Sequence, residues 1–244
     1  MAHANLMLHR GGRLVTRQDV NAVEVPSATS TWFPIGHGEV LDTVIQNLNQ
    51  IGFEVKRQQL ALSSQGDRFF GTLDLTAPIA EGVSLAVGVR NSIDKSFPMG
   101  LCAGERVFVC DNLAFGSTIA IKHKHTRFGA QRFSYRVSQS VSGLEQYREI
   151  AAQRIERFQT TELTEDKANS LILQAFEQRV VNSRLLPAVI HEYREPQHAQ
   201  FQARTVWSLL NCFTEVLKDR QEGNPHEFAR QTIRLQTLLA AQLN

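Results

Sequence analysis

Apolar residues alternate with polar or small ones along successive segments of the first half of the chain. A period of two is the pattern of a β-strand with one buried face. The alternating segments cover residues 53–62, 68–76 and 83–89, and an apolar run over 107–110 precedes a strand-like segment that ends near residue 125. Short turns, such as the one at 64–67, link these segments. Because short links join antiparallel neighbours, the pattern predicts an antiparallel meander.

A helix is predicted before these strands. From His37 to Ile51 the apolar positions are spaced by three and four residues, and Gly52 stands where a C-terminal cap belongs. A helix with one apolar face needs a partner, so we expect this helix to pack on the sheet. Nearer the N-terminus, a short strand is expected over residues 20–25, where Pro26 would end it.

Helical periodicity replaces strand periodicity after Gly129. Apolar stripes mark helices over about residues 144–158, 164–176, 185–193, 206–217 and 228–243. The predicted fold class is therefore α+β. It consists of an antiparallel, mixed-order sheet with a packed N-terminal helix over residues 1–138, followed by an all-helical half over 139–244.

Composition narrows the class of protein. With 42% hydrophobic and 20% charged residues, the 244-residue chain is expected to be globular rather than disordered. No apolar run approaches the roughly 18 residues of a membrane span, and the start lacks a signal-peptide pattern. The three cysteines, Cys102, Cys110 and Cys212, have neither zinc-site nor disulfide-framework spacing. We therefore predict a cytoplasmic protein, with no membrane association, no metal and no cofactor.

The loop at residues 90–96 holds the densest group of polar side chains. Ser92 and Asp94 lie between the cations Arg90 and Lys95, and such a group can hold a phosphate or polarise a reacting group. The alternative is a capped, charged turn in which Ser92 or Asp94 satisfies backbone N–H groups.

A second candidate group follows the apolar run at 107–110. Cys110 would be a nucleophile if His123 or His125 lowered its pKa, with Asn112 beside it. The alternative is a small buried cysteine followed by turn residues. The two histidines are also spaced for a metal, but a closed zinc site needs about four ligands and no complete set is evident.

Positive charge is concentrated in the stretch that follows. Residues 112–144 contain no aspartate or glutamate. They do contain five cations and several aromatic residues: Lys122, Lys124, Arg127, Arg132 and Arg136, with Phe115, Phe128, Phe133 and Tyr135. Cations that neutralise phosphates beside aromatics that stack on bases are typical of a single-strand binding surface. Arg90 and Lys95 are expected to reach the same backbone. The alternative is a solvated basic pair of strands whose aromatics face the core.

Several short motifs resemble a family of phage- and plasmid-borne proteins of unknown function. The segments are 28–37, with its Trp-x-Pro-x-x-His pattern, 90–96, 109–112 and 124–126, and the helix that contains Trp207. Ile93 stands where many members of that family carry histidine. The resemblance implies a mobile-element context and a role around phage or plasmid DNA, and it supplies no catalytic residues.

The leading hypothesis is a DNA-metabolism accessory protein that binds single-stranded nucleic acid. One alternative is an enzyme acting on a nucleotide or phosphodiester, with a pocket formed by Ser92, Asp94, Cys110, Asn112 and His125, and also His123. Another is an interaction protein, either an anti-defence protein or a scaffold, whose C-terminal helices form a homo-oligomer.

Overall fold

One six-stranded antiparallel sheet forms the centre of the computed structural model, which describes residues 12–107, 112–218 and 225–243. Its strands are β1 (Arg13–Val15), β2 (Val55–Leu62), β3 (Arg68–Ala80), β4 (Val83–Ser92), β5 (Met99–Val107) and β6 (Asn112–His123). The strand order is β1-β2-β3-β4-β5-β6. The predicted α+β class and antiparallel meander are confirmed, and the order is sequential rather than mixed.

Helices precede the sheet and make up most of the second half of the chain. In the part that the structure describes, they are α1 (Arg17–Asn21), α2 (His37–Gln50), α3 (Gly129–Val141), α4 (Leu144–Thr160), α5 (Glu165–Glu177), α6 (Leu186–Arg194), α7 (Val206–Val216) and α8 (Pro225–Ala240). Short 3-10 turns lie at Ala199–Phe201 and Ala241–Leu243. The division of the chain after residue 138 stays a prediction, and α3 crosses that point. None of the helices so described is long and apolar enough to span a membrane.

The strand register places the apolar side chains of neighbouring strands on one face. Val87 of β4 lies opposite Leu73 of β3 and Ala103 of β5, and directly paired residues point to the same side. All three are fully buried. Contacts with the sheet come from α2, α3, α4, α7 and α8, and one hydrophobic cluster includes residues of both halves of the chain.

Helix α2 follows its sequence pattern closely. Val40, Leu41, Val44 and Leu48 are fully buried, and each such burial is worth roughly 1.5–3 kcal/mol. Gly52 has φ 87°, a left-handed conformation that glycine adopts without strain, and it ends the helix as predicted. The prediction of a helix packed on the sheet is therefore confirmed.

Two predicted strand boundaries are wrong. Val20 belongs to α1 rather than to a strand, because Thr16 and Asp19 form a capping box that starts a helix. The apolar run at 107–110 was expected to form the next strand after β4, but β5 runs from Met99 to Val107. Residues 108–111 lie outside the described part of the chain.

Two buried ion pairs explain why β5 was not recognised as a strand. Glu105 and Arg106 are both buried, on opposite faces of β5. Arg106 donates to Asp74 of β3 (2.7 Å). Glu105 accepts hydrogen bonds from Tyr147 and Arg154 of α4 and from Gln236 of α8 (2.7 Å). The Glu105 carboxylate thus joins the sheet to two helices.

Removing the cation of this buried group should destabilise the protein. We expect Arg154→Met to lower the free energy of unfolding by about 3 kcal/mol, because Glu105 then stays buried without its cation. Urea-induced unfolding measures the change. Arg148→Met is the matched control on the same helix, since its pair with Glu145 lies near the surface and should be worth at most about 1 kcal/mol. Equal losses in the two variants would contradict the proposed role of the buried pair.

Candidate nucleic-acid interface

The segment 32–37, which we call the strap, is bonded to β4 and to the chain just beyond β6. The backbone N–H of Phe33 donates to the carbonyl of His125 (3.3 Å), and that of Ile35 donates to Nδ1 of His125 (3.1 Å). Nδ2 of Asn91 donates to the carbonyl of Ile35 (2.8 Å). The strap therefore holds these two strand ends in a fixed relation.

His37 begins α2 and is locked in one neutral tautomer. Nδ2 of Asn91 can only donate, so Nδ1 of His37 accepts this bond (3.0 Å) and Nε2–H donates to the carbonyl of Gly66 (3.0 Å). Burial lowers the pKa of His37 to about 4, although the bond to Gly66 acts in the opposite direction. Protonation at Nδ1 would break the bond to Asn91.

His125 is buried beside the strap and is also neutral. Its Nδ1 accepts from Ile35, so the ring proton lies on Nε2, where no hydrogen-bond partner is present. Burial lowers the pKa of His125, and the charge of His123 lowers it further. The side chain of Thr126 and the Oδ1 atom of Asn91 are likewise buried without partners.

The loop after β4 has the geometry of a capped turn. Ser92 is fully buried, and its Oγ donates to the carbonyl of Phe97 (2.8 Å) and accepts from its N–H (3.1 Å). Asp94 accepts from the N–H of Ser96 (2.9 Å) and pairs with Arg68 (2.7 Å). Burial raises the pKa of Asp94, but the bonds from Ser96 and Arg68 outweigh it and hold this pKa below its usual range. The side chains of Ser92 and Asp94 thus both form the bonds that hold this capped turn.

The predicted catalytic group is not joined by hydrogen bonds in the part of the chain that the structure describes. No bond links Ser92 or Asp94 to a histidine there. Cys110 lies outside the described residues, and for Asn112 only the backbone, paired with Val107, is described. No group of three or more potential metal ligands occurs among the described side chains. An enzymatic function stays a prediction.

The end of β6 and the exposed side of α3 together form a basic, aromatic surface. We call it the α3 surface, and its members are Lys122, Lys124, Arg127, Phe128, Arg132, Tyr135 and Arg136. All seven side chains are exposed, with Phe128 at 53% and Tyr135 at 67%. Nη1 of Arg136 donates to the carbonyl of Lys122 (2.9 Å), which fixes the helix against the strand end.

One alternative and one expectation for this stretch are wrong. Residues 129–136 form part of a helix rather than of a basic pair of strands, so Arg132, Tyr135 and Arg136 share a side through helical spacing. Phe133 was expected to stack on bases, but it is 1% exposed and packs into the core with Val137. Phe128 and Tyr135 are the exposed aromatics among the side chains described in this stretch, and the side chain of Phe115 lies outside them.

Arg90 and Lys95, the two cations in and beside the loop after β4, each lie over an aromatic ring. Arg90 is half-buried on β4, with its guanidinium carbon 5.3 Å from the ring centre of Phe97. Lys95 has φ 67°, and its ammonium lies 4.8 Å from the ring centre of Trp32 in the strap. Each cation is therefore packed against an aromatic ring.

Sequence reasoning did not identify the contacts of the strap. The signals were present, because the Trp-x-Pro-x-x-His segment, Asn91 and His125 all belong to motifs singled out above. Their spacing along the chain gave no sign that they touch, since Asn91 lies 54 residues from His37 and 34 residues from His125.

The neutral state of His37 should make stability depend on pH. An ordinary histidine in the unfolded chain protonates near pH 6.5, whereas the folded protein resists protonation to about pH 4. The stabilisation that depends on the neutral ring is therefore fully present above the pKa of His37 in the unfolded chain. It decreases as the pH falls towards the lower pKa of His37 in the folded protein. We expect His37→Gln to be destabilising at neutral pH, and this difference from the wild type to shrink by about 2 kcal/mol between about pH 7.5 and about pH 4.5. Urea unfolding at both values tests it, and a difference independent of pH would contradict the assignment.

Comparison with known proteins identifies the family but no function. No curated protein and no solved structure matches the chain. One family model matches residues 27–239, which include the strap, the sheet from β2 onwards, and α3. The chain belongs to the family described as Domain of unknown function (DUF932).

Proposed function

We propose that the protein binds single-stranded nucleic acid through the α3 surface. The observation that carries the proposal is the grouping of five exposed cations and two exposed aromatics in a stretch, 112–144, that has no acidic residue. Each cation can neutralise a backbone phosphate and release a counterion. The formal net charge of only +2 makes this local concentration the relevant feature.

The exposed aromatics favour a single strand over a duplex. Phe128 and Tyr135 leave more than half of their surface in water, and bases stack on such rings only when they are not stacked in a duplex. Arg132 lies one helical turn from Phe128, so a phosphate contact and a base contact alternate along the helix. A strand that follows the helix can therefore place a phosphate on Arg132 and a neighbouring base on Phe128 or Tyr135.

In keeping with the motif resemblance, we propose that the role is that of an accessory protein in phage or plasmid DNA metabolism. Homo-oligomerisation through the C-terminal helices and a cytoplasmic location belong to the same proposal. The enzyme and interaction-protein alternatives stay predictions, since no contact described above favours either of them.

Salt dependence tests the electrostatic part of this function. If all five cations contact phosphates, the logarithm of the affinity for a labelled oligothymidylate should fall with the logarithm of salt concentration with a slope of about −3.5. Arg132→Gln should reduce the steepness by about 0.7 and weaken binding severalfold at low salt. Fluorescence anisotropy measures both.

Arg184→Gln is the matched control for this experiment. It removes the same charge from an exposed arginine between α5 and α6, so it should leave the slope unchanged. Binding that ignores salt, or an equal effect of the two substitutions, would overturn the proposal.

Stacking can be separated from charge by its weak response to salt. Tyr135→Ala should weaken binding by about tenfold or more, because one stacked base contributes roughly 1–3 kcal/mol. The loss should persist at high salt, unlike that of Arg132→Gln. Leu173→Ala, at an exposed apolar position of α5 (54% exposed), should have no effect. If Tyr135→Ala binds as the wild type does, this ring does not stack on a base.

A further inference from the structure

Arg90 and Lys122 face each other across a glycine on the sheet. Gly100 of β5 pairs with Arg90 of β4 on one side and with Lys122 of β6 on the other. Directly paired residues point to the same face, and the two outer Cα atoms are roughly 10 Å apart, at two strand spacings. Because Gly100 has no side chain, the space between the two cations is not filled from β5.

The position of Arg90 shows that it extends over this glycine. A Cβ atom at Gly100 would lie 3.3 Å from Nε of Arg90 and 2.9 Å from the carbonyl oxygen of Ile121. The arginine therefore lies over β5, in the direction of Lys122. The ring of Phe97 supports its guanidinium from another side (5.3 Å). A side chain other than glycine at position 100 would displace the arginine or the strand.

The charges of these two residues are not balanced by any residue in the part of the chain that the structure describes. Among the described residues, neither side chain has a hydrogen bond or an ion pair. Both cations act on the thiol of Cys102, and burial raises the pKa of this thiol to about 12 despite them. Cys102 is thus neutral at physiological pH. A half-buried guanidinium has lost hydration, and among the described residues the ring of Phe97 is near it but no anion is.

We propose that Arg90 and Lys122 bind a phosphomonoester, the phosphorylated end of a nucleic-acid strand. This inference rests on the proposed function and adds the class of ligand to it. A terminal phosphate carries a charge of −1.5 to −2, whereas an internal phosphodiester carries −1. Two uncompensated cations match the terminal group better. The carbonyl of Lys122 accepts from Arg136 of α3 (2.9 Å), while its side chain points to the face of Arg90, so a strand bound along α3 can pass round the edge of β6 and bring its end to Arg90.

The test compares one oligothymidylate with a 5′-phosphate, a 3′-phosphate or only hydroxyl ends. We expect the wild-type protein to bind one of the phosphorylated forms about tenfold more tightly than the hydroxyl form, because the terminal phosphate accepts charge-assisted hydrogen bonds from the two cations. Arg90→Gln and Lys122→Gln should remove this preference. Lys122 is exposed, so the second variant answers the question even if the first fails to fold.

Lys124→Gln is the control, because it should weaken binding of all three oligonucleotides by the same factor and keep the preference. No preference in the wild-type protein, or a preference that survives both Gln variants, overturns the inference. If either result is found, salt-dependent binding of all three oligonucleotides would still support the proposed function. Thymidine monophosphate that binds as tightly as the phosphorylated strand would assign the site to free nucleotides and overturn the strand-end assignment.

Discussion

The amide of Asn91 holds together the region in which every candidate site of this protein lies. Its Nδ2 atom donates both to the carbonyl of Ile35 and to the ring of His37. Through these two bonds β4 is tied to the strap and to the first residue of α2, and His37 extends the chain of bonds to Gly66 in the turn between β2 and β3. The backbone N–H of the same residue, Ile35, donates to Nδ1 of His125. Gly129, the first residue of α3, packs closely against Ile35, since a Cβ atom at Gly129 would lie 3.4 Å from Cδ1 of Ile35.

The arrangement works only with neutral histidines. His37 must accept at Nδ1, and His125 must accept at Nδ1 from a backbone donor, so a proton at either atom would replace attraction by repulsion. Burial disfavours the charged form of both rings, which lowers both pKa values. Both histidines are accordingly acceptors in structural hydrogen bonds, and the role of His125 as an activator of a nucleophile stays a prediction.

Local patterns predicted most helices and strands of this fold, but not strand β5, which contains buried ions. The spacing of Val40, Leu41, Val44 and Leu48 was enough to locate α2, because a single apolar stripe has one interpretation. The sequence pattern did not predict β5, because Glu105 is a charged residue inside the strand. Its burial is compensated by hydrogen bonds from α4 and α8. These partners are distant from Glu105 in sequence, so a local pattern cannot predict them.

The same limit applied to the candidate site. The composition of residues 112–144 correctly located a concentration of exposed cations, since charged side chains without partners stay in water. It did not distinguish Phe133 from Phe128 and Tyr135, because assigning a ring to the core or to the solvent requires knowing that the segment is a helix. A strand period places alternate residues on one side, whereas the helical period places Phe133 with Val137 in the core.

The small net charge of the chain conceals a strong separation of charge. Asp74 and Glu105 are buried and are neutralised by Arg57, Arg106 and Arg154. These acids therefore do not offset the cations on the α3 surface, whose own stretch of sequence contains no acid. Buried pairs are hardly screened by salt, while exposed cations interact over about 10 Å at moderate ionic strength. A small net charge of the whole protein is therefore compatible with a local concentration of exposed cations at α3 and the end of β6.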